Sequence, residues 1–323
     1  MSENQQLNIQ IPESMSGQRL DVALSELLCE YSRSRIQRWI KKGNIRIDGH
    51  IKRAKDLIRG GELVAVHIVE EIETAWRPQS ISLDIIYEDA EIIVINKPAG
   101  MVVHPGAGNM DGTLSNALLY YAEEVAKVPR AGIVHRIDKE TSGLLVVARS
   151  LKAQKSLVEQ LQQRTVTREY QAIVHGVMTA GGSIDEPIGR HPIQRTRMAV
   201  VRSGRPAKTH YRLIKKFRSH THVRVQLETG RTHQIRVHMA HIRYPIVGDP
   251  VYGGRKRLPA GCQDNLKDCL RGFTRQALHA AKLSLQHPTT GEQMSWTAEL
   301  PADMQALLYE LAHELAHEQV RKD

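Results

Sequence analysis

Cysteine is scarce in this sequence: only Cys29, Cys262 and Cys269 occur among 323 residues, and no two form a C-x-x-C pair. Neither a disulfide framework nor a cysteine-based zinc site is expected, and the reducing cytosol is the expected compartment. No uncharged apolar stretch reaches the roughly 18 residues of a membrane-spanning helix. The opening MSENQQLNIQIP lacks the basic and apolar segments of a signal peptide and the Arg-rich character of a transit peptide. A soluble chain with no membrane partner is therefore expected. Phosphate-cradling signatures are also missing. Gly106-Ala107-Gly108 lacks the Lys-Ser/Thr of a P-loop, and neither G-x-G-x-x-G nor D-F-G occurs. His135-Arg136 superficially matches a kinase catalytic loop, but Ile137 separates Arg136 from Asp138 and no Asn follows at the required position. His233, His238 and His241 are joined by no carboxylate or cysteine in an H-E-x-x-H-like pattern, so no metal is expected.

Positive charge is what the chain has in excess. Lys and Arg number 45 against 35 Asp and Glu, a formal net charge of +10, which favours polyanionic partners such as nucleic acid. With 41% hydrophobic and 25% charged residues the composition is that of a folded globular protein. The length exceeds the usual single core and gives a prior of about two domains.

Near the N-terminus, apolar Leu20, Ala23, Leu24, Leu27 and Leu28 recur at helical spacing. A second helix is predicted over residues 33–42, capped by Ser32 and stopped by Gly43. It turns Ile36, Trp39 and Ile40 inward and leaves Arg33, Arg35, Arg38, Lys41 and Lys42 to solvent. Ile45-Arg46-Ile47, the turn Asp48-Gly49 and the apolar run 63–66 predict a small sheet on these helices. On pattern alone, the basic helix is more simply a solvated face than an RNA-binding one. The acidic Glu70-Glu71-Ile72-Glu73 followed by Arg77-Pro78 interrupts the apolar patterning and marks a linker. The expected division is 17–75, a linker at 76–80, and 81–323. In the larger part, strand-like runs at 91–95, 143–148, 168–174, 208–214 and 222–227 alternate irregularly with helical candidates at 116–121 and 152–163. A last helix from near Pro301 carries Met304, Leu307, Leu308, Leu311 and Leu315 at helical spacing and should dock on the sheet. Without regular βαβα alternation, the fold class is α+β with a mostly antiparallel sheet.

The least ordinary segment is RAGIVHRIDKETSGLLVVARS, where Asp138 stands among His135, Arg136 and Lys139 just before a strand. Cationic neighbours favour the carboxylate. A nucleophile or general base suits this setting, and a turn-capping Asp in a surface ion cluster suits the spacing equally well. Arg190, His191, Arg195 and Arg197 occupy what reads as a cationic loop, for RNA or for solvent.

INKPAGMVVHPGAG, AGIVHRIDKETSGLLVVA, TREYQAIVHG and LETGRTHQIRVHMAHIRYPIVGDPVYGG, in order through nearly all of 81–300, resemble the pseudouridine synthases of the RluA family. GQRLD followed by SRSRIQRWIKKGNIRIDG resembles the small RNA-binding module named after the fourth small-subunit ribosomal protein, and tips the basic helix toward RNA. AGGSIDEPIGRHP, RTRMAV and RQALHA are similar to the subgroup acting on large-subunit (23S) ribosomal RNA. The resemblance implies Asp138 as catalytic aspartate, Tyr170 as active-site tyrosine and Arg236 as the arginine pairing with the aspartate. It also implies that His135, Arg136, Arg231 and His233, with His238 and His241, line the RNA groove or support Arg236. No cofactor is implied, and the expected state is a monomer. Its expected targets are several uridines of one hairpin loop facing the small subunit, in naked RNA or in the assembled or assembling subunit, in support of ribosome assembly. Flipping such a uridine out of its stack costs roughly a few kcal/mol. A non-catalytic RNA-binding protein and a nucleosidase remain as alternatives. The set Asp138, Tyr170 and Arg236 argues against the first, and the lack of an evident second carboxylate to activate water argues against the second.

Overall fold

The computed structural model describes residues 5–28, 31, 33–68, 76–106, 109–254 and 258–320. Ser32, expected as a helix cap, and the acidic stretch 70–73, expected within the linker, lie outside these residues.

The N-terminal part runs β1 (Gln5–Gln10), α1 (Leu20–Leu27), α2 (Arg33–Lys42), β2 (Ile45–Ile47) and β3 (Leu63–Ile68). Its three strands form an antiparallel sheet in the order β1-β3-β2. β1 lies upstream of residue 17, where the motif reading starts the module, and adds an edge strand that QQLNIQ, with little apolar alternation, did not announce. Leu20, Ala23 and Leu24 of α1 meet Ile36, Trp39 and Ile40 of α2 and Ile45, Ile47, Val64 and Val66 of the sheet in one buried cluster. Gly43 at φ +78° ends α2, and Asp48 and Gly49, both at positive φ, make a tight turn.

One expectation on α2 is overturned. Arg35 does not face solvent: it is 5% exposed, with its guanidinium over the rings of Trp39 (5.2 Å) and Tyr31 (5.8 Å). Position 35 stands one turn before Trp39, on the flank of the apolar stripe, so its charge stacks on the aromatic edge of the core. Arg33, Arg38, Lys41 and Lys42 are exposed. Arg33 is nevertheless tied down, donating to the fully buried Asp21 at 2.8 Å. Burial works against the Asp21 carboxylate, but hydrogen bonds from Arg19, Gln37 and Arg33 bring it down to about 2.

The larger part continues with β4 (Ile85–Glu88), β5 (Ile92–Lys97), α3 (Leu114–Tyr121), β6 (Ser142–Ala148), α4 (Leu151–Gln163), β7 (Thr167–His175), β8 (Gly182–Asp185), β9 (Ile188–Arg190) and β10 (Met198–Val200). Then come β11 (Lys208–Lys216), β12 (His220–Leu227), α5 (Gln234–His241), α6 (Asp264–Gly272), β13 (Leu278–Gln286), β14 (Gln293–Thr297) and α7 (Ala302–Val320). Nine strands form one sheet, ordered β4-β5-β6-β13-β7-β12-β11-β8 with β14 paired to β13. Every pairing is antiparallel except β6 with β13, so the class is α+β with a mostly antiparallel sheet.

Both faces of the central strands are covered. Leu145 and Val147 of β6 join the cluster that holds Leu118 of α3, Leu270 of α6 and Leu307 of α7, while Leu144, Val146 and Ala148 join Ala153 and Leu157 of α4 on the other side. This explains why β13, at the centre of the sheet, was not foreseen. A strand buried on both faces shows no period-two alternation, and the first half of LHAAKLSLQ, Leu278 to Ala281, carries none, which leaves only Lys282 to Gln286 alternating. Residues 76–80, read as linker, pack on this part: Trp76 lies against its core, and the Asn116 side chain donates to the Arg77 carbonyl at 2.8 Å. The cationic stretch expected as a loop, Arg190 to Arg197, runs from the end of β9 through the loop of a hairpin to β10, with which β9 pairs.

Candidate active site

Asp138 sits on the loop before β6, and that loop is fastened from beneath. Lys97, at the end of β5, is fully buried and donates three hydrogen bonds, to the carbonyls of Pro98 (2.7 Å), Met101 (2.9 Å) and Lys139 (3.1 Å). Burial pushes its ammonium down to about 7, with the charges of Glu140 and Asp138 opposing that shift. Arg275, held by Asp303 at 2.6 and 2.7 Å, reaches the Glu140 carbonyl at 3.2 Å. Gly143 then lets β6 run against β13. A Cβ there would lie 2.3 Å from the Ala280 carbonyl oxygen, and its φ of +112° suits glycine alone.

Across the cleft, α5 presents Arg236. Its Nη1 donates to Asp138 Oδ2 at 3.0 Å, while Nε and Nη2 donate to the two oxygens of Asp249 at 2.7 and 2.9 Å. Arg236 is 5% exposed and the Asp249 carboxylate is fully covered. Burial would raise the Asp249 carboxyl, but Arg236 and the backbone N–H groups of Tyr252 and Val251 hold it below its ordinary value. Burial likewise opposes the Arg236 charge, and the two aspartates more than restore it. One guanidinium thus spends two donors on a buried anchor and aims a third at Asp138, a use of the planar fork that lysine cannot copy.

His233 stands at the N-terminus of α5 with a left-handed backbone, φ 57°, and its Nε2 is 3.9 Å from Asp138 Oδ1. Its Nδ1 is 2.8 Å from the Tyr252 hydroxyl, which accepts from the Met198 N–H at 2.9 Å.

Asp138 lines a cleft of about 870 Å³ that also includes Trp76, His104, Arg136, Tyr170 and Arg231. Tyr170 on β7 is 6% exposed and belongs to the core cluster, yet it lines the cleft as well. Burial raises its phenol, so it is un-ionised at neutral pH. Trp76 and His104, both in the cleft lining, form an aromatic pair with ring centroids 5.7 Å apart.

Residues 91–241 match the model of the RNA pseudouridylate synthase family, and residues 18–64 match the S4 domain model. A Yersinia pestis protein named ribosomal large subunit pseudouridine synthase D is 57% identical over 309 residues, 95% of each chain. A protein of the same name from Pseudomonas aeruginosa is 54% identical, covering 95% of this chain and 96% of that one. The chain belongs to the RNA pseudouridylate synthase family. Among solved structures, Human RNA Pseudouridylate Synthase Domain Containing 4 is similar at a TM-score of 0.56 and 28% identity, over 71% of this chain and 93% of that one.

Within this pseudouridine synthase the structure brings Asp138, Tyr170, Arg236, His135, Arg136, Arg231 and His233 to one cleft. His135 is not the cationic neighbour that its place in the motif suggested. Its Nε2 accepts from the Val146 N–H at 3.1 Å, and burial, then the charge of Arg168, push it down to about 3. His238 and His241 do not line the cleft. His238 is buried against Thr209 Oγ1 (2.8 Å) and the Glu186 carbonyl (3.0 Å), and His241 is exposed on the last turn of α5. Arg190, His191, Arg195 and Arg197 lie on the β9–β10 hairpin, outside the cleft lining. Asp249, Tyr252, Lys97 and Trp76 were not singled out from sequence. Asp249 and Tyr252 stand in GDPVYGG and Lys97 in INKPAG, so the motifs contained them without saying what they touch. Among the described residues, no group of three or more His, Cys, Asp or Glu is placed to hold a metal ion, and no helix is long and apolar enough to cross a membrane.

Proposed function

We propose that this enzyme converts uridines of large-subunit (23S) ribosomal RNA to pseudouridine, in the cytoplasm and as a monomer, at several positions of one hairpin loop that faces the small subunit. The observation that carries the reading is the ion chain Asp249–Arg236–Asp138 in a cationic cleft. The bond from uracil N1 to the sugar C1′ breaks, the retained uracil turns, and its C5 bonds to C1′. C5 gives up its proton and N1 regains one, so the balance needs no redox partner or cofactor. Asp138 is the carboxylate that assists, whether at C1′, at the uracil ring or by removing a sugar proton. Arg236 positions it. Tyr170 offers a flat face to the loose uracil and a phenol able to handle a proton. The names of the relatives support the large-subunit target.

A nucleosidase would need a second carboxylate to activate water. The other acid lining the cleft, Glu228, is occupied by His210 (2.7 Å), Arg164 (3.0 Å) and Lys208 (3.4 Å), which favours isomerisation. The test is pseudouridine mapping in ribosomal RNA from cells with and without this protein, with the purified protein added back. Specific sites should vanish and return. Release of free uracil would instead indicate hydrolysis, and unaltered RNA a binding protein.

The division of labour belongs to the same proposal. Residues up to about 75 form the RNA-positioning module, residues 76–80 connect the two parts, and residues 81–323 carry the chemistry. Arg33, Arg38, Lys41 and Lys42 contact phosphates, with Arg35 holding the face they share. Exchanging Arg38, Lys41 and Lys42 for Gln should weaken RNA binding and lower the salt slope by about one for each phosphate no longer neutralised. The single-turnover rate at saturating RNA should stay near that of the parent protein. An unchanged salt slope with an abolished rate would show that the helix serves the chemistry or the fold instead.

A further inference from the structure

Arg168 is a buried arginine for which no described residue supplies a partner. It is 8% exposed, and its Nε is enclosed without a hydrogen-bond partner. Among the described residues no hydrogen bond or ion pair reaches its guanidinium. It lines the same cleft as Asp138 and Tyr170. On β7 it stands two residues before Tyr170, hence on the same face of the strand and about 7 Å from it.

The carboxylates described around it are already matched. Asp138 has Arg236, Glu228 has Arg164, Lys208 and His210, and Glu169, on the opposite face of β7, has Arg224 at 3.1 Å. Taking a guanidinium out of water without a counter-charge is costly, and a fold retains one where a ligand supplies the charge. A second donor without a partner, His135 Nδ1, belongs to the same cleft. Because His135 Nε2 accepts from Val146, Nδ1 carries the proton. A uracil carbonyl carries only partial charge, whereas a phosphodiester carries a full negative charge and suits the planar fork. Gly230 completes the setting. A Cβ on it would lie 2.7 Å from Arg168 Nη1, so the guanidinium lies directly over a residue without a side chain.

We propose that Arg168 forms a phosphate subsite, binding the backbone phosphodiester next to the uridine that enters the cleft. The proposal rests on the reading of the cleft as the uridine site. It assigns to one buried cation the placement of the sugar–phosphate while Tyr170 faces the base.

The test uses the full-length protein and an rRNA hairpin fragment carrying a single neutral methylphosphonate at each phosphate around the target uridine in turn. One position should weaken binding to the parent protein about tenfold to a hundredfold, the range for a hydrogen bond to a charged group. That penalty should vanish in Arg168→Gln, whose salt slope falls by about one, and persist in Arg168→Lys. Gly230→Ala provides an independent route. Its backbone accepts a side chain, and the only close neighbour is the far end of Arg168, so it displaces the guanidinium without changing a charge. It should weaken binding of the same RNA and add nothing in the Arg168→Gln background. If Gln at 168 does not fold, the Lys and Ala variants carry the comparison. Penalties that are the same at every position in parent and variants, or an additive loss from Gly230→Ala, overturn the subsite. Failure of the parent protein to form pseudouridine in unmodified RNA would overturn the functional reading instead.

Discussion

Asp138→Asn protein is expected to fold, to bind its RNA nearly as the parent does, and to form no measurable pseudouridine. Asparagine keeps the shape of the side chain and removes its negative charge. The change is tolerable to the fold because Arg236 keeps its two hydrogen bonds to Asp249 and is not left as an unpaired buried cation. Asp138 itself is 17% exposed, so the lost charge is not deeply buried. The chemistry has no such reserve. Removing the participating group from a covalent or acid–base mechanism lowers turnover by roughly 10⁴-fold or more, while binding energy from the rest of the cleft survives. Single-turnover conversion at saturating RNA, a binding titration and a thermal melt read the three quantities separately. A rate near that of the parent protein would remove Asp138 from the mechanism. An abolished rate accompanied by abolished binding would make it a substrate-holding residue.

What the sequence disclosed of this site, and what it withheld, follows from how far each interaction reaches. Asp138, Tyr170 and Arg236 each lie in a contiguous run whose resemblance to a family names them one by one. The α1–α2 pair and the D-G turn are local patterns written in spacing. The partners are another matter. Arg275 reaches the Glu140 carbonyl from 135 residues away, and Lys97 reaches the Lys139 carbonyl across 42. No periodicity encodes such pairings, because they arise only once β5, β6 and β13 are side by side. The charge of His135 was misread for the same reason. In the sequence it stands beside Arg136, and in the fold it faces the Val146 N–H and the charge of Arg168. Arg35 failed differently. Its position on the flank of the α2 stripe was legible, but the aromatic edge that Tyr31 and Trp39 offer it was not.

The second large effect is expected at Asp249, a residue that does not touch substrate in the proposed mechanism. Asp249→Asn removes the anchor of Arg236. Asparagine offers one acceptor oxygen where the carboxylate serves two guanidinium donors and the N–H groups of Val251 and Tyr252. Breaking a buried ion pair by removing one partner costs about 3–5 kcal/mol, and the remaining bond to Asp138 places this case near the lower end. Because the Asp249 carboxyl is held below its ordinary value, its contribution is fully present above the unfolded carboxyl pKa of about 3.9 and is lost as pH falls through the lower folded value. The stability gap between parent and variant should therefore be constant near neutrality and narrow in acid. The rate should fall about a hundredfold at saturating RNA, since a guanidinium freed from two of its three bonds no longer fixes Asp138 to within an ångström. Arg236→Lys should do similar damage, because a point charge cannot hold both aspartates. The double variant should lose less than the sum of the two, as residues acting through one chain do. Urea unfolding across pH and single-turnover rates for the four proteins decide the matter. A destabilised Asp249→Asn protein with a parent-like rate would show that Asp138 keeps its geometry without the anchor, and would reduce Asp249 to a support of the fold.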